Sequence, residues 1–147
     1  MADEELPEET LNKTRIAGLN FSDKRPVKGE EVIIAGYLQW YNKKGKNWEP
    51  VENKNVDVRV DGEKAGESKT DHNGYFVFEN TFKVLGEHSV EVKFDGSRNF
   101  APSGAASSLS VITEKQRRNV EKIIKIVLAA IGLIIVIAIL ALYIAKI

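Results

Sequence analysis

The residues that could do chemistry are few. The sequence has two histidines, His72 inside the run "DHNG" at 71–74 and His88 at the head of a strand-like run. A metal site needs a cluster of ligands and a nucleophilic triad needs a serine beside its histidine; neither pattern surrounds these two. Both read as structural or solvated groups. Asp71 and Asn73 stand two apart as in a calcium loop, but the remaining ligands and the closing glutamate of an EF-hand are missing. Asp71 reads instead as a cap on its own turn. No Gly-Lys-Ser/Thr phosphate loop is present, and the absence of cysteine excludes disulfides, thiolate metal sites and cysteine nucleophiles. The expectation is a binding or structural protein with no catalytic residues, no cofactor, no metal and no small-molecule substrate.

Two other clusters point to contact. Trp40, Tyr41 and Trp48 flank the basic loop "NKKGKN" at 42–47, whose lysines are Lys43, Lys44 and Lys46. Aromatic rings beside positive charge suit protein, carbohydrate or nucleic-acid contact. The plainer reading places Trp40 in the core at a strand end and the lysines on a solvated hairpin tip. These six residues are the candidate partner-contact surface.

The second cluster is "KQRRNVEKIIK" at 115–125, with Lys115, Arg117, Arg118, Lys122 and Lys125. It precedes "IVLAAIGLIIVIAILALYIA" at 126–145, twenty residues with no polar side chain except the Tyr143 phenol. A helix rising about 1.5 Å per residue crosses a hydrocarbon core of roughly 30 Å at this length. The span carries no ionisable or amide side chain that would serve an ion path or proton relay, so it reads as an anchor. Lys125 and Lys146 bracket it, placed to snorkel into the headgroup layers, and Tyr143 suits an interface. Ala141 and Ala145 form a small-xxx-small pair that would let a second helix approach. Val120, Ile123, Ile124 and Val127 recur at helical spacing, so the basic segment is expected to continue the membrane helix without a break.

The charges are segregated although the chain is neutral, with 21 basic and 21 acidic residues. Residues 1–10 hold five acids and no base, 11–114 balance 15 against 15, and 115–147 hold six bases and one acid. A neutral central region offers no basic face for nucleic acid. The five juxtamembrane bases read as a contact for anionic lipid headgroups and as a topology mark. By the positive-inside rule they place residues 1–125 in the cytoplasm. With an acidic start that lacks a signal-peptide core, this predicts a tail-anchored protein. An extracellular domain is the alternative, for which the acceptor triplets Asn12-Lys13-Thr14 and Asn20-Phe21-Ser22 would matter.

The elements between these ends are β. "EVIIAGYLQW" (31–40), "NVDVRV" (55–60), "GYFVFE" (74–79), "HSVEVKF" (88–94) and "SLSVIT" (108–113) are rich in β-branched and aromatic residues. Val56, Val58 and Val60 alternate, as do Val90, Val92 and Phe94, and Leu109 and Val111: the period of a half-buried strand. Asp61-Gly62, Asn73-Gly74, Gly86 and Asp95-Gly96 supply turns at the spacing of a β-sandwich. The expected organisation is an acidic flexible tail at 1–15, a sandwich at 16–113, a basic juxtamembrane helix at 114–125 and a transmembrane helix at 126–145.

"TDHNGYFVFEN" (70–80) followed by "LGEHSVEVKFDGSRNFAPS" (85–103) resembles the prokaryotic Ig-like and carboxypeptidase-regulatory-like modules. The first element is Thr70, Asp71, Gly74 and Phe76; the second is Gly86, His88, Val90, Phe94, Gly96 and Phe100. "KGEEVIIAGYL" and "WEPVENKNVDVRVDG" fit the earlier strands of such modules. The resemblance implies an Ig-like antiparallel β-sandwich that acts as a spacer, adhesion unit or interaction surface. Members are usually exported, in tension with the cytoplasmic placement. The expected function is that of an interaction or accessory subunit held at the membrane beside a protein partner or larger membrane complex. An envelope or adhesion module and a membrane-tethered enzyme are the alternatives.

Overall fold

A computed structural model describes residues 11–147. The acidic segment 1–10 lies outside the described residues. The chain divides into a β unit that ends at Val111 and a helical unit, Ile112–Ile147.

The β unit contains β1 (Thr14–Phe21), β2 (Glu31–Asn42), β3 (Asn47–Pro50), β4 (Asn55–Val60), β5 (Glu63–Lys69), β6 (Tyr75–Thr81), β7 (Gly86–Phe94) and β8 (Ser103–Val111). They form two antiparallel four-stranded sheets, neither closed. In the first, β2 is the spine: β1 pairs along one side, while β6 and then β3 pair along the other. The second runs β5-β4-β7-β8. Alternation decides which side chains meet. Val32, Ile34, Leu38 and Phe76 from the first sheet join Val56, Val58, Val90, Val92, Phe94, Leu109 and Val111 from the second in one buried core. Burying each such side chain contributes about 1.5–3 kcal/mol.

Where the two sheets adjoin, polar groups are satisfied across the gap. The Thr14 hydroxyl donates to the Ala101 carbonyl oxygen at 2.6 Å and lies 2.8 Å from the Ser103 hydroxyl. On the other side the Ser68 hydroxyl donates to the Val77 carbonyl oxygen at 2.7 Å. Two glycines are required by shape. A Cβ on Gly74 would meet the Leu38 carbonyl oxygen at 2.4 Å, and its φ of +73° is one that other residues rarely adopt. A Cβ on Gly36 would meet the Phe76 ring at 2.8 Å, so this glycine makes the space that a fully buried phenylalanine fills.

Five strands coincide with runs whose alternation is visible in the sequence, and three do not. β1 is broken by a register shift between Ala17 and Asn20, with Gly18 at φ +63°, which interrupts its apolar period. β3 is only four residues long. β5, "EKAGESK", is a solvent-facing edge strand without a large apolar residue. β8 starts at Ser103, five residues before the expected 108, because its first half is built from small residues held by pairing to β7. The border expected between residues 15 and 16 also moves: Thr14 is already a buried strand residue, and Asn12 bridges to Phe100.

In the helical unit, α1 spans Glu114–Ala145, 32 residues or about 48 Å. Thr113 caps it: its hydroxyl accepts from the Gln116 N–H, and the Gln116 side chain accepts from the Thr113 N–H. The helix runs unbroken from the basic segment into the apolar one, as the spacing predicts. None of its residues is buried. It is one helix, among the described residues, long and apolar enough to cross a membrane, with a mean hydropathy of 3.2 in its most apolar stretch.

Candidate interaction surface

The six residues of the aromatic-basic cluster all lie on or beside the β2–β3 hairpin, and the pleat divides them. Even-numbered positions of β2 face the core, so Trp40 turns inward beside Leu38 and packs against the core and Phe100, at 6.1 Å between ring centroids. Trp40 is thus turned away from the outer face and partly buried against the core, as the plainer reading of the sequence has it. Tyr41 and its cross-strand partner Trp48 lie on the outer face with ring centroids 5.3 Å apart. Lys43, Lys44 and Lys46 are exposed at the tip. The Asn42 side-chain oxygen accepts from the Lys44 and Gly45 N–H groups and so shapes the turn.

A residue from outside the motif completes the group. Arg15 on β1 places its guanidinium carbon 4.0 Å from the Trp48 ring centroid, a cation–π arrangement, and its Nε donates to the Gln39 side-chain oxygen at 2.9 Å. It falls in the tail expected at 1–15, and no local pattern ties it to Trp48, 33 residues later. The outer face then continues along β2 and β6. Tyr37 and its partner Tyr75 lie 5.1 Å apart, and Ile33, Tyr37 and Val77 are each about 40% exposed. The sequence does contain a signal for this: β2 is apolar at Ile33, Tyr37 and Tyr41 as well as at its core positions.

The remaining candidates occupy simpler settings. Lys115, Arg118, Lys122 and Lys125 are exposed on the first turns of α1, and Arg117 is half-exposed among them. Ala141 and Ala145, one turn apart, share an exposed helix face. His72 is exposed in its turn, where the Asp71 carboxylate accepts from the N–H groups of Asn73 and Tyr75, capping the turn as expected.

His88 is more than a strand residue. Its ring is largely buried and lies tilted against Phe82, with ring centroids 5.4 Å apart. Nδ1 lies 2.5 Å from an Asp61 carboxylate oxygen and Nε2 lies 2.6 Å from the Val84 carbonyl oxygen. With acceptors at both nitrogens the imidazolium form is favoured. The hydrogen bond to Val84 and the Asp61 carboxylate raise its pKa above the ordinary value, against the opposing effect of burial. Asp61 is held below the usual carboxylate range, first by His88 and then by the Ser89 N–H. The pair ties the β4–β5 turn to the start of β7. Among the described residues no group of three or more His, Asp or Glu side chains could hold a metal ion.

Fold and surface together define a class: an antiparallel two-sheet β domain followed in the chain by a long apolar helix. No known protein-family model matches the chain. A protein of Archaeoglobus fulgidus, described only as an uncharacterized protein, is 31% identical over 116 residues, which is 79% of this chain and 79% of the relative. The chain belongs to the same family as that archaeal protein.

Proposed function

We propose that this is a single-span membrane protein whose Ig-like domain is an interaction module, an accessory subunit of a membrane complex rather than an enzyme. The observation that carries the reading is α1, whose apolar half is uniformly exposed along twenty residues and has no partner of its own in the described structure. In water such a surface is unfavourable at about 25 cal/mol per Å², and a bilayer is the solvent that removes that cost. The basic turns at 115–125 support a contact with anionic headgroups and, by the positive-inside rule, favour a cytoplasmic side for the preceding domain.

The Ig-like reading draws support from strand order. Without the short β3, seven strands remain. The first, second and fifth of these share one sheet; the third, fourth, sixth and seventh form the other. The chain passes between sheets after β3, β5 and β6, as Greek-key sandwiches of this kind do. The motif residues also have matching roles, with Asp71 capping the turn, Gly74 at positive φ and Phe76 in the core.

The test is protease treatment of sealed cells, with recovery of co-purifying proteins from gently solubilised membranes. The domain is expected to be protected until the membrane is opened, and Trp48→Ala with Lys44→Glu is expected to deplete the co-purifying partner. Digestion from outside overturns the cytoplasmic placement. An extractable, partnerless and catalytically active protein overturns the module.

A further inference from the structure

The outer face of the β1–β2–β3/β6 sheet has an order that local sequence does not reveal. Along β2 it begins with Glu31, passes Ile33 with its partner Glu79, then Tyr37 with Tyr75, and ends at Tyr41 with Trp48 before the lysine tip. One end is acidic, the middle is apolar and aromatic, and the other end is basic, with Arg15 over Trp48 and Lys43, Lys44 and Lys46 in the β2–β3 turn just beyond the strands. Lys28 and Lys83 likewise lie in loops, near the acidic end. Among the described residues Glu31, Glu79, Lys43 and Lys46 make no intrachain ion pair.

Such a stripe is complementary to itself when reversed. Two copies packed face to face about a two-fold axis at Tyr37, with their β2 strands antiparallel, bring position 37−n of one against 37+n of the other. Glu31 then opposes Lys43, and Ile33 opposes Tyr41. Glu79, beside Ile33, faces the Trp48 side of the partner within reach of Lys46. The apolar middle meets itself, as an isologous interface requires, and the unpaired charges of both ends are matched at once. We propose that this face is a two-fold interface between two copies of the chain. The proposal rests on reading the β domain as an interaction module, and it names the partner as a second copy.

The full chain, purified in detergent and reconstituted in nanodiscs, supplies the test. Because the sequence has no cysteine, Tyr37→Cys introduces a single thiol. A short bis-maleimide is expected to cross-link it into dimers, whereas Ser108→Cys, exposed on the other sheet, is expected to remain monomeric. Glu31→Lys with Glu79→Lys is expected to weaken dimerisation about tenfold or more, and adding Lys43→Glu with Lys46→Glu is expected to restore it. That rescue distinguishes a charge match from a folding defect. A monomer by light scattering overturns the dimer while leaving the module to the co-purification experiment. So does equal cross-linking at residues 37 and 108. A dimer that ignores charge reversal but is lost in Ala141→Leu is held by the helices, and also overturns the proposal.

Discussion

The β unit and α1 are both rich in β-branched aliphatic residues and treat them in opposite ways. In the sheets Val32, Ile34, Val58 and Val92 have no solvent exposure at all. In the helix every large apolar side chain from Ile126 to Tyr143 that is exposed stands at about half to two-thirds of full exposure. The difference lies in period. A strand that alternates every second residue can hide one face against another sheet, and the chain supplies that sheet itself. A helix that is apolar all round has no single face to hide, and none of its apolar side chains is covered by the described residues. The same residue types thus build a core in one region and an external contact in the other.

That contrast can be broken from either side. The largest effect is expected at Phe76→Ala, which empties the space made by Gly36 and should cost about 3–5 kcal/mol of β-unit stability. Thermal unfolding should register the loss while membrane extraction by alkaline carbonate stays unchanged. A change in extraction would show that the two units are not energetically separate. Ile135→Arg, near the middle of the apolar stretch, should do the reverse. It is expected to cost about 3 kcal/mol of insertion, releasing protein into the carbonate-soluble fraction with the unfolding midpoint of the β unit intact.

The smallest effect concerns His88, and it sharpens what holds the β unit. His88→Gln is expected to lower stability by about 1–3 kcal/mol, since a charged hydrogen-bonding group is lost between Asp61 and Val84. The pH dependence carries the sign. The His88 pKa is raised in the fold, so its contribution is complete below the ordinary 6.5 and is lost as pH rises through the raised value. The Asp61 pKa is lowered, so its contribution is present above 3.8 and lost as pH falls through the lowered value. Denaturant titrations should therefore show wild-type stability declining on the alkaline side of 6.5, and a flatter profile there for the variant.

Legibility followed the range of the interaction. β4 coincides with "NVDVRV" residue for residue, and α1 begins one residue after Thr113, because alternation, helical spacing and caps are local. β5 was illegible for the complementary reason: an edge strand of polar residues has no pattern of its own and is held by β4. The contact surface was half legible. The hairpin tip and the Tyr41–Trp48 pair can be read from one short segment, but Arg15 reaches Trp48 only because β1 and β3 flank the same strand.

By itself the sequence determined the β character of the central domain, the position of its sharpest turns, and an apolar helix preceded by a basic run. Each is written in the neighbours of a residue within about one turn of helix or a few strand positions. Only the tertiary structure decided that Arg15 belongs to the outer surface beside Trp48, and that His88 is clamped by Asp61, 27 residues away. It also set the acidic-to-basic order of the outer face, because strand register brings together residues that no local period relates.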